Sequence, residues 1–146
     1  MSSLLFRRLA FRSESYQQAF ALRDAVLRKP LGRSLYGEPF AQESSCIHFG
    51  AFWDGLLVGA ACFWVQEDQT AVLKHLAVSQ EAQGKGVGRG LLAASEREMR
   101  QLKVKKCLLK ARVCALPFYQ KNGYHPTGDP LPGQPPHQIM LKYFKE

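Results

Sequence analysis

Apolar and polar positions recur along this chain with spacings that predict a succession of strands and helices. Residues 4–11 mix apolar side chains with arginines and are predicted to form a first strand. The segment Ser13-Glu14-Ser15 offers side chains that can cap a helix, and residues 16–27 carry apolar positions at helical spacing. This helix should end before Pro30 and Gly32, because both residue types interrupt helices.

Two turns in the middle of the chain separate three predicted strands. Asp54-Gly55 is a favoured two-residue hairpin turn between the apolar segments 46–53 and 56–65. A polar turn then leads to a further strand at residues 70–78. We therefore expect three consecutive antiparallel strands.

The last part of the chain alternates helices and strands. In the first of these helices, Leu92, Met99 and Leu102 share one face, whereas Glu96 is predicted to point outward. Gly123 is a typical stop for the second helix. The predicted helices are residues 91–102 and 115–122, and the predicted strands are residues 105–112 and 138–144.

The element order is β-α-βββ-α-β-α-ββ, which predicts an α+β fold with a mixed, mostly antiparallel central sheet flanked by helices. A chain of 146 residues can bury its own core, so one domain is expected over residues 1–146. Four cysteines without a C-x-x-C pair favour reduced, packed thiols, Cys114 among them. Because the start of the chain lacks the apolar block of a secretory signal, we expect a cytoplasmic protein.

The net charge of +8 favours an anionic partner. There is no block of five or more Lys and Arg residues, and no alternation of basic and aromatic residues of the kind that binds nucleic acid. No apolar run reaches the roughly 18 to 20 residues that cross a bilayer, so no membrane partner is expected. A polyphosphate cofactor fits this charge distribution, while nucleic acid has no motif to support it.

Glycines at alternate positions mark a candidate phosphate-binding loop at residues 83–90. Gly84, Gly86 and Gly88, with Gly90 after them, let the main chain approach a ligand closely and turn its N–H groups inward. The helix that follows directs its positive end toward the same place. The P-loop motif is absent, and the preceding strand belongs to an antiparallel meander, which argues against a dinucleotide site.

This loop resembles the Q/R-x-x-G-x-G/A signature of the GNAT family of N-acetyltransferases, which Gln83, Gly86 and Gly88 match. Downstream, residues 115–124 resemble the family's A-x-x-F-Y-x-x-x-G-[FY] segment. Together with the element order, the resemblance covers residues 4–144. It implies the acyl-CoA N-acyltransferase fold and acetyl-CoA as the cosubstrate, without a metal.

The resemblance also implies roles for individual residues. In the family, the strand before the loop offers main-chain groups to the pantetheine arm of the coenzyme. The tyrosine of the F-Y segment, here Tyr119, lies near the coenzyme sulfur and gives it a proton. The residues implied to bind acetyl-CoA are Leu76, Ala77, Val78, Gln83, Gly84, Lys85, Gly86, Val87, Gly88 and Arg89.

Two further segments resemble a subset of the family that includes glyphosate acetyltransferase. They are residues 22–30 and Pro135-Pro136-His137-Gln138-Ile139-Met140. The resemblance implies that His137 acts as the base, a role that suits the ordinary pKa of histidine near neutrality. The cations implied to surround an acidic substrate are Arg28, Lys74 and Arg112.

These observations predict an acetyl-CoA-dependent N-acetyltransferase that acts on the primary or secondary amine of a small, anionic metabolite. Two alternatives stay open, namely a peptide or protein amine acetyltransferase and a non-catalytic module that binds acyl-CoA or nucleic acid. The sequence leaves both a monomer and a homodimer open. Two other histidines, His48 and His75, are expected to be packing residues.

Overall fold

A computed structural model of the chain describes residues 3–38 and 43–145. Seven strands form one mixed sheet in the order β1-β2-β3-β4-β5-β7-β6, and three α-helices accompany it. The strands are β1 (Leu4–Leu9), β2 (Ile47–Trp53), β3 (Leu56–Val65), β4 (Thr70–Val78), β5 (Lys106–Arg112), β6 (His125–Pro126) and β7 (His137–Tyr143), and the helices are α1 (Glu14–Leu27), α2 (Val87–Gln101) and α3 (Leu116–Lys121).

The pairing of the strands confirms the predicted α+β class and element order. β4 pairs with β5 in parallel, whereas the pairs β1–β2, β2–β3, β5–β7 and β6–β7 are antiparallel. At the β2–β3 hairpin, Asp54 and Gly55 both have positive φ, 50° and 86°, as a tight hairpin turn requires. Ser13 caps α1 as predicted, since its hydroxyl oxygen accepts a hydrogen bond from the N–H of Tyr16 at 3.1 Å.

The start of α2 differs from the prediction. The helix begins at Val87, four residues before the predicted start, and so includes Gly88 and Gly90. Glycine is disfavoured in helices by about 1 kcal/mol relative to alanine, which is why the sequence indicated a later start. Tertiary packing explains Gly90, because a Cβ added there would lie 2.0 Å from Cζ of Phe6 on β1.

The outward face predicted for this helix is also partly wrong. Glu96 is buried, with 4% of its surface exposed, although it was predicted to point outward. Leu102 lies just beyond the last helical residue and is 41% exposed, so it does not continue the apolar face. Leu92 and Met99 are buried as predicted.

Two compact units make up the chain. The first unit comprises the described residues of Met1–Trp64 and His75–Glu98, and the second comprises those of Val65–Lys74 and Met99–Glu146. The chain passes from one unit to the other three times, within β3, within β4 and within α2. No helix in the described parts of the chain is long and apolar enough to cross a membrane.

In the first unit, α1 and α2 cover opposite faces of the strands. Ala60 on β3 packs in a buried cluster with Ala19 of α1. At the neighbouring position, Gly59, an added Cβ would lie 2.8 Å from Val87 Cγ1 and 2.9 Å from Leu91 Cδ1 of α2. Since successive strand residues face opposite sides, the two helices lie on the two faces. Val87, the first residue of α2, therefore packs directly on a strand position that has no side chain.

We expect Gly59→Ala to lower the free energy of unfolding by about 1–3 kcal/mol, because the added methyl group overlaps two fully buried side chains. Chemical denaturation monitored by circular dichroism measures this change. Gly37→Ala is the matched control, since a Cβ at Gly37 meets nothing within 4 Å. Equal stability of the two variants would contradict the close packing of α2 on β3.

Candidate functional site

The glycine-rich loop leads directly into α2 and has the geometry of an anion-binding site. Gly84 and Gly86 have φ of 76° and 84°, a region that side chains disfavour. The N–H of Gly90 donates to the carbonyl of Gly86 at 3.0 Å, which marks the first helical turn. The N–H groups of that turn have no partner inside the helix and carry its positive end. We call residues 83–89 the cradle.

The glycines of this segment serve two different purposes. A Cβ at Gly84 would meet nothing within 4 Å, and one at Gly86 would meet only Arg89 at 3.9 Å, so these two positions require glycine for their backbone conformation. Gly90 instead requires glycine because the ring of Phe6 lies against it. The prediction that Gly90 lets a ligand approach is therefore replaced by a packing role.

Three residues of the cradle, Gln83, Lys85 and Arg89, have polar side chains. Gln83 donates from Nε2 to the carbonyl of Val78 at 3.1 Å and so ties the cradle to the end of β4. Lys85 and Arg89 are exposed, and Lys85 Nζ lies 5.3 Å from the centroid of the Trp53 ring. Two positive charges on long side chains, beside N–H groups that point inward, suit a ligand with several negative charges.

β4 changes character at His75. Its pairing with β5 runs from Thr70 to Leu73, and two residues later His75 has φ of 57°. A left-handed residue interrupts the regular course of a strand, as in a β-bulge, and we call this interruption at His75 the bulge. Leu76–Val78, the segment predicted to contact the pantetheine arm, follows this bulge directly.

A buried group of polar side chains, which sequence reasoning missed, lies behind the bulge. Arg23 donates from Nη1 to Glu43 Oε1 at 2.7 Å and from Nη2 to Glu43 Oε2 at 3.3 Å. The hydroxyl of Tyr16 donates a hydrogen bond to Glu43 Oε1 at 2.7 Å, and Arg23 Nη2 lies 2.6 Å from Nδ1 of His75. His48 Nε2 lies 2.9 Å from the carbonyl oxygen of Glu43. We call these five residues the Arg23 cluster.

The sequence carries a signal that could have revealed this cluster. The buried positions of α1 include Tyr16, Phe20 and Arg23, which follow one another at helical spacing. Arg23 thus falls on the apolar face and is only 1% exposed. A charged residue at a core position needs a buried partner, and Glu43 supplies it. His48 is buried as predicted, whereas His75 is half-buried and hydrogen-bonded to an arginine.

Glu43 makes the free energy of unfolding depend on pH in the acidic range. Burial would raise the pKa of Glu43, but the hydrogen bonds and charge of Arg23 outweigh it and lower the pKa to about 2. The stabilisation is fully present above the ordinary pKa of about 4.5 and is lost as the pH falls toward 2.

We therefore expect the unfolding free energy to fall by about 3 kcal/mol between pH 5 and pH 2 through this group. Glu43→Gln should lose this component, and denaturant titrations over that pH range measure it. Glu81→Gln, which changes an exposed carboxylate, should keep the full dependence. An unchanged pH dependence in Glu43→Gln would contradict the assignment.

In the second unit, Tyr119 lies on α3 against two aromatic rings. Its ring centroid is 5.0 Å from that of Phe118 and 5.9 Å from that of Tyr124. Burial raises the pKa of Tyr119 to about 12, so its hydroxyl keeps its proton at neutral pH. The helix ends at Lys121, and Gly123, with φ of 92°, follows its cap residue Asn122 and stops the helix as the sequence predicts.

His137 and Arg112 are brought together by the sheet of the second unit. They are directly opposite each other in the β5–β7 pairing. The main chain of His137 also exchanges two hydrogen bonds with Leu131, and the N–H of Val113 donates to the carbonyl of Pro136 at 3.1 Å. The backbone of both strand ends is therefore fixed where these two side chains leave it.

The other two predicted cations occupy different surroundings. Lys74 is half-buried and follows Leu73, the last residue of β4 that pairs with β5. Arg28 lies at the end of α1 in the first unit and forms an ion pair with Glu38 through two hydrogen bonds. Arg28 would have to leave or share that carboxylate to bind a substrate.

Three of the four cysteines, Cys46, Cys62 and Cys107, are buried and not disulfide-bonded, as predicted. Cys114 is exposed instead, so the prediction that it packs in the core is wrong. It lies in a short 3₁₀ turn between β5 and α3, and the apolar residues beside it misled the sequence interpretation.

Comparison with known proteins gives consistent results. Residues 13–124 match the model of the acetyltransferase (GNAT) family. The chain is 26% identical to the uncharacterized N-acetyltransferase YitI of Bacillus subtilis (strain 168), covering 94% of this chain and 97% of that protein. It is similar to the crystal structure of Escherichia coli ElaA, with a TM-score of 0.80, 21% identity and coverage of 97% and 99% of the two chains. It is also similar to PaiA N-acetyltransferase from Thermoplasma acidophilum in complex with coenzyme A, with a TM-score of 0.67, 21% identity and coverage of 97% and 99%.

Proposed function

Since this chain belongs to the acetyltransferase (GNAT) family and is therefore an acyl-CoA-dependent N-acetyltransferase, we propose that it acetylates the primary or secondary amine of a small, anionic metabolite. The observation that carries this proposal is the pairing of His137 with Arg112 across β5 and β7. It joins a group that can take a proton from an amine with a cation that can hold the acidic part of the same molecule.

The cradle supports the choice of donor. Acetyl-CoA carries a pyrophosphate, and the left-handed glycines, the first turn of α2 and the exposed Lys85 and Arg89 offer N–H groups and positive charge to such a group. Leu76–Val78 would contact the pantetheine arm through their main chain. The transfer chemistry that we propose uses no metal.

We assign the proton transfers to two residues of the second unit. His137 takes a proton from the protonated amine, and the neutral nitrogen then forms its bond to the thioester carbonyl carbon. The carbon–sulfur bond breaks as the nitrogen releases its second proton to solvent. Tyr119 donates toward the departing sulfur. The pKa of Tyr119, about 12, lies above the ordinary thiol pKa of about 8.5. Complete proton transfer from the phenol to the thiolate is therefore unfavourable, by a pKa difference of about 3 to 4. Tyr119 therefore acts mainly by hydrogen bonding to the sulfur in the transition state, and the coenzyme thiol gains its final proton from the imidazolium or from solvent.

The acceptor class follows from the charge of the assigned substrate residues. Arg112 and Lys74 both belong to the second unit, and both favour a carboxylate, phosphate or phosphonate on the acceptor. The same charges would repel the side chain of a lysine substrate. Arg28 contributes only if the acceptor displaces Glu38 from it. The glyphosate acetyltransferase subset, which the segment around His137 resembles, is thus a model for the acceptor chemistry.

The test is a screen of amines with acetyl-CoA, read out as free thiol release and confirmed by mass spectrometry of the acetylated product. Each acidic amine is compared with its methyl ester or amide, which removes the charge and keeps the amine. We expect kcat/KM for the acidic member to be higher by about tenfold or more. Equal rates within each pair would overturn the anionic acceptor, and preference for basic peptides would favour a protein amine instead.

We expect Tyr119→Phe to lower kcat by about tenfold to a hundredfold, with little change in KM for acetyl-CoA. Phenylalanine keeps the ring contacts with Phe118 and Tyr124 and removes only the hydroxyl. Steady-state kinetics measure the split. Tyr143→Phe, which alters an exposed tyrosine on β7, is the control. An unchanged kcat in Tyr119→Phe would remove this residue from the mechanism.

Two statements stay predictions from the sequence, namely the cytoplasmic location and the absence of nucleic-acid and membrane partners. The sequence leaves both a monomer and a homodimer open. Size-exclusion chromatography with light scattering would decide the oligomeric state.

A further inference from the structure

The Arg23 cluster reaches the donor side of the proposed reaction through one side chain. Nδ1 of His75 lies 2.6 Å from Nη2 of Arg23. The next residue is Leu76, which begins the segment assigned to the pantetheine arm. The mechanism described above uses neither Arg23 nor His75. The question is what a buried arginine does at this place.

The contact fixes the protonation of His75. An arginine guanidinium can only donate hydrogen bonds, so Nδ1 of His75 must be the acceptor at 2.6 Å. The imidazole is then neutral and carries its proton on Nε2. A second proton on Nδ1 would set two donors against each other beside a guanidinium that is 1% exposed.

The rest of the cluster holds Arg23 still. Glu43 binds the guanidinium through both carboxylate oxygens, and Tyr16 and His48 hydrogen-bond to Glu43 in turn. Tyr16, Arg23 and Glu43 are all buried. Side chains fixed by several partners each have little freedom, so Arg23 offers His75 a donor at a defined position.

The backbone of His75 needs such support. Its φ of 57° is unfavourable for a residue with a side chain, although histidine tolerates the left-handed region better than most. The conformation of this residue sets the direction of the N–H and C=O groups that follow it. A change of φ at His75 would turn the main chain of Leu76–Val78 away from its present course.

We propose that the hydrogen bond from Arg23 to His75 holds the bulge of β4 in its left-handed conformation, and that His75 is thereby a positioning residue for the main-chain groups that bind the thioester. This inference rests on the proposed function, because it takes Leu76–Val78 as the segment that contacts the acyl donor. It assigns no chemical step to His75.

A metal ion is the competing explanation for the same residues. Ligand atoms of Glu43, Cys62 and His75 lie within 4.8 Å of one another. However, Arg23 already hydrogen-bonds to both oxygens of Glu43 and to Nδ1 of His75. Two of the three candidate metal ligands, Glu43 and His75, already bind the buried guanidinium of Arg23. A metal ion would have to displace that guanidinium, so the geometry favours the hydrogen-bonded arrangement.

Three substitutions at one position separate backbone from side chain. His75→Val has no acceptor and strongly disfavours positive φ, His75→Gly permits positive φ without an acceptor, and His75→Asn permits positive φ and offers a carbonyl oxygen to Arg23. We expect kcat to fall by about a hundredfold for valine and about tenfold for glycine, with asparagine restoring most of it. KM for acetyl-CoA should change less than kcat does in each variant, because the cradle, which is assigned to the pyrophosphate, is untouched.

The controls separate this effect from a loss of folding. Thermal unfolding of each variant shows whether the lost activity follows lost stability, and His125→Val removes an exposed histidine of β6 as the matched control. A parent-like kcat in folded His75→Val would overturn the inference. So would a kcat for asparagine as low as that for valine.

A second measurement does not depend on acetyl transfer. Nitrogen-15 NMR of the imidazole, assigned with His75→Asn, should show a neutral ring with the proton on Nε2 at pH 7. A proton on Nδ1, or a shift of Nδ1 on addition of zinc ions, would overturn the inference. If no amine is acetylated while the NMR result holds, the proposed acceptor chemistry fails and the hydrogen bond stands, so the two failures are distinguishable.

Discussion

We expect His137→Ala to lower kcat/KM for the acceptor amine by about 10²- to 10⁴-fold at neutral pH, the range that a lost general base produces. Amines are mostly protonated at this pH and cannot attack a thioester until a proton is removed. His137 begins β7 and faces Arg112 across the pairing with β5, so the base and the substrate cation leave neighbouring positions of fixed backbone. Steady-state rates of thiol release over pH 6–9 measure the effect.

The pH profile distinguishes a base from a structural residue. The loss in His137→Ala should become smaller as the pH rises, because the free amine then forms without help. His125→Ala is the matched control, since His125 is exposed on β6 and stacks against Tyr143. A loss that is equal at every pH would show that His137 supports the strand instead of removing a proton.

We expect Gly86→Val to raise the Kd for coenzyme A by about a hundredfold, which corresponds to about 3 kcal/mol. Gly86 has φ of 84°, a conformation that a β-branched residue strongly disfavours. The strain would be relieved by turning the loop, and that movement takes the inward N–H groups away from the pyrophosphate. Isothermal titration calorimetry with coenzyme A measures the affinity without any acceptor.

The control for this prediction has the same backbone strain at another place. Gly128 has φ of 73° and open space around its Cβ position, so Gly128→Val introduces a similar penalty outside the cradle. Its Kd for coenzyme A should match that of the parent. A parent-like Kd in Gly86→Val would remove the loop from the coenzyme site and would leave the acceptor predictions untouched.

The sequence predicted best those features that depend on neighbours along the chain. Asp54-Gly55 requires positive φ at two successive residues whatever surrounds them, and Ser13 caps α1 through an N–H three residues away. The cradle is of the same kind, because alternate glycines followed by a helix are visible in the letters alone. Tyr119 lies on its predicted helix, whereas His137 is the first residue of β7 although the strand was predicted to begin at residue 138.

Features that depend on distant contacts were not predictable. Position 90 of the helix requires glycine because Phe6 of β1 leaves no room for a side chain, and nothing near residue 90 indicates this. The burial of Glu96 also escaped the helical pattern. Arg23 and Glu43 form one buried group although they are far apart in the chain, and only the fold reveals that the arginine extends to His75.

The parallel pairing of β4 with β5 has a consequence for the order of folding. The β2–β3 hairpin pairs two strands that are close in sequence and can form early. Thr70 on β4 pairs with Lys106 on β5, and the segment between these strands contains the cradle and α2. Contacts between distant residues form slowly, because the loop between them must first lose its freedom. We therefore expect the crossover that carries the cradle to become fixed late during folding. Coenzyme A should act as a ligand that traps the finished state and protects the crossover from proteolysis.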